Sequence, residues 1–485
     1  MLVLCLLLLG QDAETLLRDA LALSREKRLD EAESKLREGM RLYPRVASFP
    51  VELAGIDWLR QRPAQARRRL LRGLRLDPGN RYAADFLATL FLLDGNLPAA
   101  LKYWNRVGKP LIQNVYFEPA LPLRPLLRDR AFFISPGQVF TPDRWEATRA
   151  ALARLRVAAD SRFEIGTRND ERFDLTFRSL PEAPHAAGWL GAVLPYARGL
   201  PYRTLFVERR NIAGSGTAVE SLWRWDPEKR RALVTLSAPW RQDPGKLLHI
   251  ALDVRDERWV QGFRLRRYEA SAAVEFALGP RTVWSTGWRG ARREWFVPGW
   301  IYSFPNRLSH VFAGWPEHRV TVRWEGEARP GRLTGASASK FLVAHTGLHT
   351  EWRPGGAYEV RWRLSAGSIS GRLPVDEWFQ FGLDRDNPLW LRGHAGLRGG
   401  EKGAGPLSTR YALSQIDAAR RIWKRPGVSL WAGPFVDAAA LRGPGWQCDA
   451  GALLRVRTLG GVSMTLLYGR DLRGGRGAFF GDSTR

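Results

Sequence analysis

Cysteine is almost absent from this 485-residue sequence. Cys5 lies in an apolar N-terminal stretch, which leaves Cys448 as the only cysteine after it. An intramolecular disulfide and a cysteine-based metal site are therefore excluded in the chain that follows this stretch. Long apolar runs are missing as well, because no run after residue 10 reaches the roughly 18 residues that a transmembrane helix needs. A membrane protein that crosses with alternating strands is not excluded, because such strands hardly register as hydrophobic segments.

The N-terminus reads Met-Leu-Val-Leu-Cys-Leu-Leu-Leu-Leu-Gly, and Gln11 and Asp12 follow at once. This is typical of the apolar part of an export signal, although the basic residues that usually precede it are missing. We interpret residues 1–11 as a signal peptide, either complete or truncated at its start. A plain apolar N-terminus is the alternative.

Negative charge is scarce, with 49 acidic against 75 basic residues and a net charge of +26. Such a charge raises the question of nucleic acid as a partner. The basic residues are spread over the whole chain, however, and often stand singly at alternate positions of predicted strands. Basic groups that face a water-filled lumen or anionic lipid headgroups explain this even distribution of positive charge better than nucleic acid does. The sequence also contains 21 Trp, a residue that concentrates at membrane–water interfaces. We therefore expect no nucleic-acid partner.

A repeat of 34 residues occupies residues 12–110. Small residues recur at two of its positions, where they let paired helices approach closely, and prolines close successive units. This arrangement resembles the tetratricopeptide repeat, with three units at about 12–45, 46–79 and 80–110. Such a solenoid usually binds peptides or proteins, and a simple spacer is the alternative. The recurring small residues are Ala20, Ala54 and Ala88 at one position and Ala32, Ala66 and Ala100 at the other.

Residues 111–184 show a mixed pattern. A strand is predicted at 112–118 and a helix from Thr141 onward. Two further strands are predicted at 161–165 and 173–180, the second alternating Phe173, Leu175 and Phe177 with polar residues. This order resembles the POTRA domain, a small α+β unit. An unrelated small α+β domain is the alternative.

Residues 185–485 alternate apolar and polar side chains in short segments. In one of them Val320, Val322 and Trp324 alternate with Thr321, Arg323 and Glu325. A soluble sandwich also alternates, but so many charges on one face favour a membrane barrel whose other face meets lipid. The length of this region predicts a transmembrane antiparallel β-barrel of about 16 strands. The predicted fold is thus multidomain, with an all-α repeat solenoid, a small α+β domain and a C-terminal barrel.

Several motifs in this region resemble the BamA superfamily, also called the bacterial surface antigen family. A glycine-rich turn at 211–217 precedes a strand that ends in Pro-Trp at 239–240. The tetrapeptide Leu-Arg-Gly-His at 391–394 is similar to the family's Arg-Gly signature. The segment Ser-Gln-Ile-Asp at 414–417 and the segment Phe-Val-Asp-Ala-Ala at 435–439 are similar to two of its strands.

This resemblance implies that Arg392 and Gly393 lie on an extracellular loop folded into the lumen. It further implies that Asp437 anchors Arg392, with Asp417 as a second acceptor. Alternation places Asp437 on the lumen side with Phe435 and Ala439, and Val436 and Ala438 on the lipid side.

The sequence departs from the family at three points. His394 replaces an aromatic residue, which weakens the expected packing of the loop tip. Ala439 replaces a glycine. The segment Phe479–Phe480 is followed by five more residues instead of ending on an aromatic.

No set of residues indicates an enzyme or a cofactor site. His345 and His349 lack a third metal ligand, and Ser337 with Lys340 lacks the Lys-Thr-Gly partner of acyl-serine enzymes. Nucleotide-binding fingerprints are missing. Asp417 and Asp437 could be proposed as a catalytic acid pair of the kind that glycosidases use. A structural role as salt-bridge partners of Arg392 explains their presence better. We expect no catalysis, no cofactor and no metal.

We therefore expect a protein of the bacterial outer membrane, with residues 12–184 in the periplasm. The resemblance implies that it inserts polypeptides into this membrane or translocates them across it. Its expected partners are outer-membrane lipid, a polypeptide substrate and other assembly proteins, the proteins being bound through the repeats and the POTRA-like domain. The alternatives are a non-transporting scaffold anchored by a barrel and a dedicated secretion transporter of the two-partner type.

Overall fold

A computed structural model describes residues 2–167, 172–181, 196–335, 337–425, 428–458 and 462–484. The chain forms two compact units. The first comprises Met1–Asn114, Ser135–Pro142 and Ile165–Leu175, and the second comprises Val115–Ile134, Asp143–Glu164 and Thr176–Arg485. Within the described ranges, no helix combines the length and the apolar character that a membrane span requires.

Six helices make up most of the first unit, and each contacts the next along the chain. Their alanines at the 34-residue spacing, Ala20, Ala32, Ala54, Ala66, Ala88 and Ala100, are completely buried. The predicted helical N-terminal region is confirmed, whereas its assignment to tetratricopeptide repeats stays a prediction. The helices are α1 (Leu2–Arg25), α2 (Leu29–Leu42), α3 (Ser48–Leu59), α4 (Pro63–Leu76), α5 (Arg81–Leu93) and α6 (Leu97–Trp104).

Small residues permit close approach between these helices. A Cβ atom added to Gly39 of α2 would lie 2.2 Å from Cε1 of Phe49, and one added to Gly73 of α4 would lie 2.6 Å from Cγ2 of Val51. Helix starts are also encoded locally, since the Asn80 side chain accepts a hydrogen bond from the Ala83 N–H at 2.9 Å at the start of α5.

A small α/β segment follows the helices. Its elements are β1 (Leu111–Glu118), α7 (Pro125–Ala131), α8 (Pro142–Leu155), β2 (Ala158–Thr167) and β3 (Arg172–Pro181). The strands form a three-stranded sheet in the order β1–β3–β2. Phe173, Leu175 and Phe177 are buried, as their alternation predicts. The division between the two compact units passes through this segment, and the domain limits at residues 110 and 184 stay predictions.

A sixteen-stranded antiparallel sheet forms most of the second unit, and its strands pair in the order of the sequence. The predicted large antiparallel sheet is thereby confirmed. Two consecutive strands, β10 (Gly299–Ser303) and β11 (Asn306–Trp315), pair with the same two neighbours, and Pro305, which has no N–H to donate, lies between them. The strands are β4 (Thr204–Arg209), β5 (Ala218–Trp225), β6 (Lys229–Pro239), β7 (Lys246–Arg258), β8 (Arg264–Ala277), β9 (Thr282–Glu294), β10 (Gly299–Ser303), β11 (Asn306–Trp315), β12 (Val320–Leu333), β13 (Ser339–Trp352), β14 (Tyr358–Gly371), β19 (Arg410–Arg425), β20 (Val428–Leu441), β21 (Gly445–Thr458), β22 (Ser463–Asp471) and β23 (Gly477–Thr484).

The two faces of this sheet are inverted relative to a soluble protein. In β14, Trp362 and Leu364 are 42% and 43% exposed, whereas Glu359, on the opposite face, is 2% exposed. In β20, Val436 is 46% exposed and its neighbour Asp437 is fully buried. Apolar side chains thus point outward and charged side chains inward, which is the pattern of a sheet surrounded by lipid.

The two ends of the sheet approach each other. The hydroxyl of Tyr202, just before β4, lies 2.7 Å from Oγ of Ser483 in β23. Ser483 Oγ also donates to the carbonyl of Arg198 at 3.4 Å. The strands consequently curve around an interior, although the described residues show no strand pairing between β4 and β23.

One end of the sheet packs against α7 and α8. The Arg124 N–H donates to the carbonyl of Gly214 at 2.8 Å, and Nε of Arg281 lies 2.6 Å from Oε2 of Glu146. Gly216 has a φ of +69°, and a Cβ atom there would lie 2.8 Å from Cδ2 of Leu155. The glycine-rich turn at 211–217 therefore fits closely against the helices. We call this the helix-facing end of the sheet.

Candidate functional site

A long loop connects β14 to β19 and contacts strands from both halves of the sheet. We call residues 372–409 the inner loop. It contains four two-residue strands, which pair with each other and give it a fixed conformation. These are β15 (Phe379–Gln380), β16 (Leu397–Arg398), β17 (Glu401–Lys402) and β18 (Leu407–Ser408).

Arg392 of the inner loop binds Asp437 of β20. Nε of Arg392 lies 2.9 Å from Oδ2 of Asp437, and the Arg392 backbone N–H donates to the same oxygen at 3.0 Å. Nη2 of Arg392 donates to Oδ1 of Asp437. The carboxylate thus accepts hydrogen bonds from the side-chain fork and the main chain of one residue, and both side chains are buried.

Two further residues surround the Arg392 guanidinium. Nη1 donates to Oδ1 of Asp417 in β19, and the guanidinium carbon lies 3.9 Å from the centre of the Phe435 ring. Phe435 and Ala439 are buried on the same side as Asp437. The structure therefore brings together Arg392, Asp417 and Asp437, and places Gly393 directly beside them.

Gly393 sits where no side chain fits. Its N–H donates to Oδ2 of Asp449 at 2.6 Å, and an added Cβ would lie 2.5 Å from the backbone nitrogen of Asp471. On the opposite side, a Cβ added to Gly469 would lie 2.1 Å from the carbonyl oxygen of Arg392. Glycines on both partners allow the loop backbone to lie directly against β22.

His394 binds carboxylates on both edges of its ring. Nδ1 lies 3.1 Å from Oδ2 of Asp449, and Nε2 lies 3.6 Å from Oδ2 of Asp471. These are polar contacts that a phenylalanine ring does not make, and the expected loss of packing at this position stays a prediction. His394, Asp449 and Asp471 are close enough together to be compared with a metal site. Because the two carboxylates face different ring nitrogens, the arrangement suits an imidazolium ion paired twice rather than one shared metal ion.

The other two histidines considered above do not act as a pair. Nδ1 of His345 is hydrogen-bonded to the hydroxyl of Tyr411. Nε2 of His349 lies 3.7 Å from Oε2 of Glu325. Each histidine therefore has its own partner.

Four acidic residues of the inner loop form contacts that the sequence analysis did not identify. Two of them, Asp376 and Glu377, bind arginines of β8, β9 and β12. Nη1 of Arg293 lies 2.7 Å from Oδ2 of Asp376. Glu377 lies 2.8 Å from Nη1 of Arg267 and 3.3 Å from Nη1 of Arg329.

The other two, Asp384 and Asp386, bind basic residues at the start of the sheet. Nη1 of Arg224 in β5 lies 2.6 Å from Oδ2 of Asp386. Nζ of Lys229 in β6 lies 2.6 Å from the same oxygen and also contacts Asp384. The inner loop is therefore bound to strands from β5 to β22. The sequence signal that could have revealed this is a group of acidic residues in one loop of an otherwise basic chain.

Two solved structures are similar to this chain. CdiB from Escherichia coli matches with a TM-score of 0.52 and 14% identity, over 77% of this chain and 74% of that one. The crystal structure of BamA from Haemophilus ducreyi lacking POTRA domains 1–3 matches with a TM-score of 0.43 and 10% identity, over 77% and 84%. No family model matches the chain, and no curated protein matches it. At this identity, the likeness to CdiB shows a shared fold.

Proposed function

We propose that this chain is a BamA-superfamily protein of the bacterial outer membrane that inserts polypeptides into that membrane or translocates them across it. The observation that carries the proposal is the Arg392–Asp437 contact, in which a loop is bound inside a sheet that shares the fold of CdiB. The Arg-Gly motif and the strand aspartate stand in the order that the superfamily resemblance implies. The role requires no cofactor.

The faces of the sheet support a membrane location. Large apolar residues on the outer face are exposed, among them Leu252 at 58% and Trp362 at 42%. Exposing such a continuous apolar surface to water is unfavourable, whereas lipid covers it at no such penalty. Outer-membrane lipid is accordingly the first proposed partner.

The N-terminal region is proposed to lie in the periplasm and to receive the substrate. Residues 12–110 would act as three tetratricopeptide repeats that bind polypeptides or other assembly proteins. Residues 111–184 would act as a POTRA domain. Its sheet order, β1–β3–β2, leaves β1 and β2 at the edges, where an extended substrate can add as a further strand. Tethering both surfaces to the sheet raises the local substrate concentration.

One observation favours a second function. The inner loop is held by Arg392 and by four acidic residues, with ion pairs on both sides of the interior. A loop bound this firmly suits a closed, non-transporting barrel that anchors a repeat-based scaffold. A dedicated secretion transporter of the two-partner type is a third possibility that uses the same loop.

Reconstitution separates these functions. The full chain is placed in vesicles, and an unfolded outer-membrane barrel protein is added from outside. We expect the chain to accelerate formation of a protease-resistant, membrane-inserted product, and Arg392→Ala to reduce this acceleration. An insertion rate equal to that of empty vesicles, together with the absence of channel openings in planar bilayers, would support the scaffold instead. Transport of an exported polypeptide without accelerated insertion would identify a secretion transporter.

A further inference from the structure

A cavity of about 410 Å³ lies inside the sheet, bounded by strands β14, β19, β21, β22 and β23 and by the inner loop. Its lining contains five arginines, Arg392 among them, against two aspartates, Asp417 and Asp482. The hydroxyls of Ser463 and Thr465 also line it. We call it the arginine cavity; its four other arginines are Arg361, Arg363, Arg455 and Arg457.

These four arginines have too few carboxylate partners. Asp417 and Asp437 are both paired with Arg392. Three of the four lie close to Glu359: Arg361 contacts it, Nη2 of Arg457 is 2.7 Å from it and Nη1 of Arg455 is 3.7 Å from it. Arg361 is also 3.7 Å from Glu351, but Glu351 binds Arg353 as well. Asp482 is 3.7 Å from Arg385, which lies outside these four. Arg363 has no carboxylate within ion-pair distance among the residues that the structure describes. The cavity consequently carries excess positive charge.

The guanidinium groups are accessible to a ligand from the interior. The side chains of Arg361 and Arg457 are 24% and 33% exposed, whereas that of Arg455 is 10% exposed and lies 3.7 Å from Glu359. Partly shielded guanidinium groups bind oxyanions strongly, because each planar fork donates two parallel hydrogen bonds to one carboxylate or phosphate. The hydroxyls of Ser463 and Thr465 add donors of the same kind.

The arginine cavity lies toward the helix-facing end of the sheet. Arg361 and Arg363 are near the first residue of β14, and Arg455 and Arg457 are near the last residue of β21. In an antiparallel sheet these strand ends lie at the same end as the turns at 210–217 and 278–281, which contact α7 and α8. A polypeptide that arrives from those helices therefore meets the cavity before it meets the rest of the interior.

We propose that the arginine cavity binds acidic segments of a polypeptide through their Asp and Glu carboxylates. The volume has room for a few side chains but not for a folded domain. The identification of the ligand as a polypeptide rests on the proposed function. The excess positive charge of the cavity is independent of that function. The cavity thereby selects among substrates, because segments rich in Lys or Arg are repelled at the same position.

Binding of hexaglutamate to the purified full chain in detergent tests the proposal. We expect saturable binding that weakens with salt, because the attraction is electrostatic. The double variant Arg455→Gln/Arg457→Gln should lower the affinity by about tenfold or more, and hexalysine should not bind. A matched control, Arg258→Gln/Arg264→Gln, removes the same charge at the opposite end of the sheet, where both side chains are exposed. It should bind like the wild type.

A second measurement uses the unaltered protein, in case the double variant does not fold. Hexaglutamate should slow the modification of Arg455 and Arg457 by phenylglyoxal, measured by mass spectrometry, but not that of Arg258. Unchanged rates at all three arginines would overturn the proposal, as would an equal loss of affinity in the control variant. Tripolyphosphate serves as the competing probe. If it binds at these arginines and hexaglutamate does not, the ligand carries phosphate and is not an acidic polypeptide. Because these measurements involve no transport, their failure leaves the vesicle insertion result unaffected.

Discussion

The Arg392 side chain shows how a charged group can be kept away from bulk water. It forms hydrogen bonds with two carboxylates and packs on the Phe435 ring. Removing a charge from water is unfavourable, and pairing offsets this only when the geometry satisfies both partners. Here the planar fork and the backbone N–H together satisfy Asp437. Removing Arg392 therefore leaves Asp437 as an unpaired buried charge, whereas removing Asp437 leaves the buried Arg392 with Asp417 alone.

A double-mutant cycle measures this coupling. Arg392→Ala and Asp437→Ala should each destabilise the anchored loop by up to about 3–5 kcal/mol, and less to the extent that water enters the interior. The double variant should be little worse than either single variant. The measurements are the temperature at which the folded gel mobility is lost and the protease sensitivity of the inner loop. Arg392→Lys is the control, because it keeps the charge but lacks the fork. Strictly additive losses would show that the two residues do not interact.

Gly393 offers a steric test of the same contact. In Gly393→Ala the new Cβ would lie 2.5 Å from the backbone nitrogen of Asp471 and 2.6 Å from the backbone carbon of Arg470. Backbone atoms of a paired strand cannot easily shift, so we expect a loss of about 1–3 kcal/mol or more, measured by the same loss of folded mobility. Gly314→Ala is the matched control in β11, where a Cβ meets nothing within 4 Å. Equal stability of the two variants would mean that the loop does not lie against β22.

The expectation that Asp437 and Asp417 meet Arg392 came from the superfamily resemblance, because no local pattern links a loop arginine to aspartates on two strands. The structure places these three side chains in contact, and their role as an anchor of the loop stays a prediction. The partners of Asp376 and Asp386 were not predictable. Arg293 and Arg224 precede them by 83 and 162 residues, and only the curvature of the sheet brings them together. No local spacing in the sequence indicates ion pairs between residues this far apart.

Among the elements, the helices of the first unit follow most directly from local sequence. Their small residues recur at a fixed spacing in the sequence, and these residues are buried in the structure. The outward and inward faces of the strands likewise follow from alternation. The division of the chain into compact units does not, because it depends on how β1, β2 and β3 pair, and no local pattern specifies that pairing.

Overpacking tests the alanine positions. Ala54 is completely buried between helices, so Ala54→Trp should destabilise the helical region by about 1–3 kcal/mol or more. The helix signal in circular dichroism of the full chain should melt at a lower temperature, while the gel mobility of the sheet stays resistant to heat. Gln65→Trp, at an exposed position of α4, is the size-matched control and should melt like the wild type. Loss of the sheet together with the helices would contradict separate folding of the two.

Asp57 of α3 predicts a pH effect in the same helices. It is 2% exposed, its Oδ2 accepts no hydrogen bond from the described residues, and Arg69 is 3.8 Å away. Burial raises the pKa of the Asp57 carboxyl, and Arg69 opposes this only in part. Because the folded-state pKa is raised, the carboxyl's contribution to stability is full below its unfolded pKa of about 3.9 and declines as pH rises through the folded-state pKa.

Asp57→Asn removes this charged form. We expect the helices of the variant to melt at a higher temperature than those of the wild type near pH 7, because an uncharged amide is less costly to bury. The difference should shrink toward about pH 4, where the wild-type carboxyl takes up a proton. A lower melting temperature for Asp57→Asn near pH 7 would show that attraction to Arg69 outweighs the cost of burial.

For the whole molecule, the positive charge and the inverted faces have one explanation. Many basic residues point into the interior, where acidic residues of the inner loop pair with part of them, and apolar residues point outward. Such a sheet is stable only where lipid, or detergent in its place, covers its outer face. Its turns then lie on opposite sides of a membrane, with the helix-facing end on one side and the turn at 442–445 on the other.

Protease accessibility in bacteria that produce the chain tests this arrangement. With residues 12–184 in the periplasm, protease added to intact cells should leave the helices and the α/β segment uncut, because the outer membrane excludes it. After the outer membrane is made permeable, the same segments should be cut. A protease site inserted at Gly443, an exposed turn residue at the opposite end of the sheet, is the control and should be cut in intact cells. Cleavage of the helices in intact cells would reverse the orientation, since the two ends of an antiparallel sheet cannot face the same side. Recovery of the full chain from the soluble fraction would rule out a membrane location and would leave the exposed apolar residues of the outer face, such as Trp362, without an explanation.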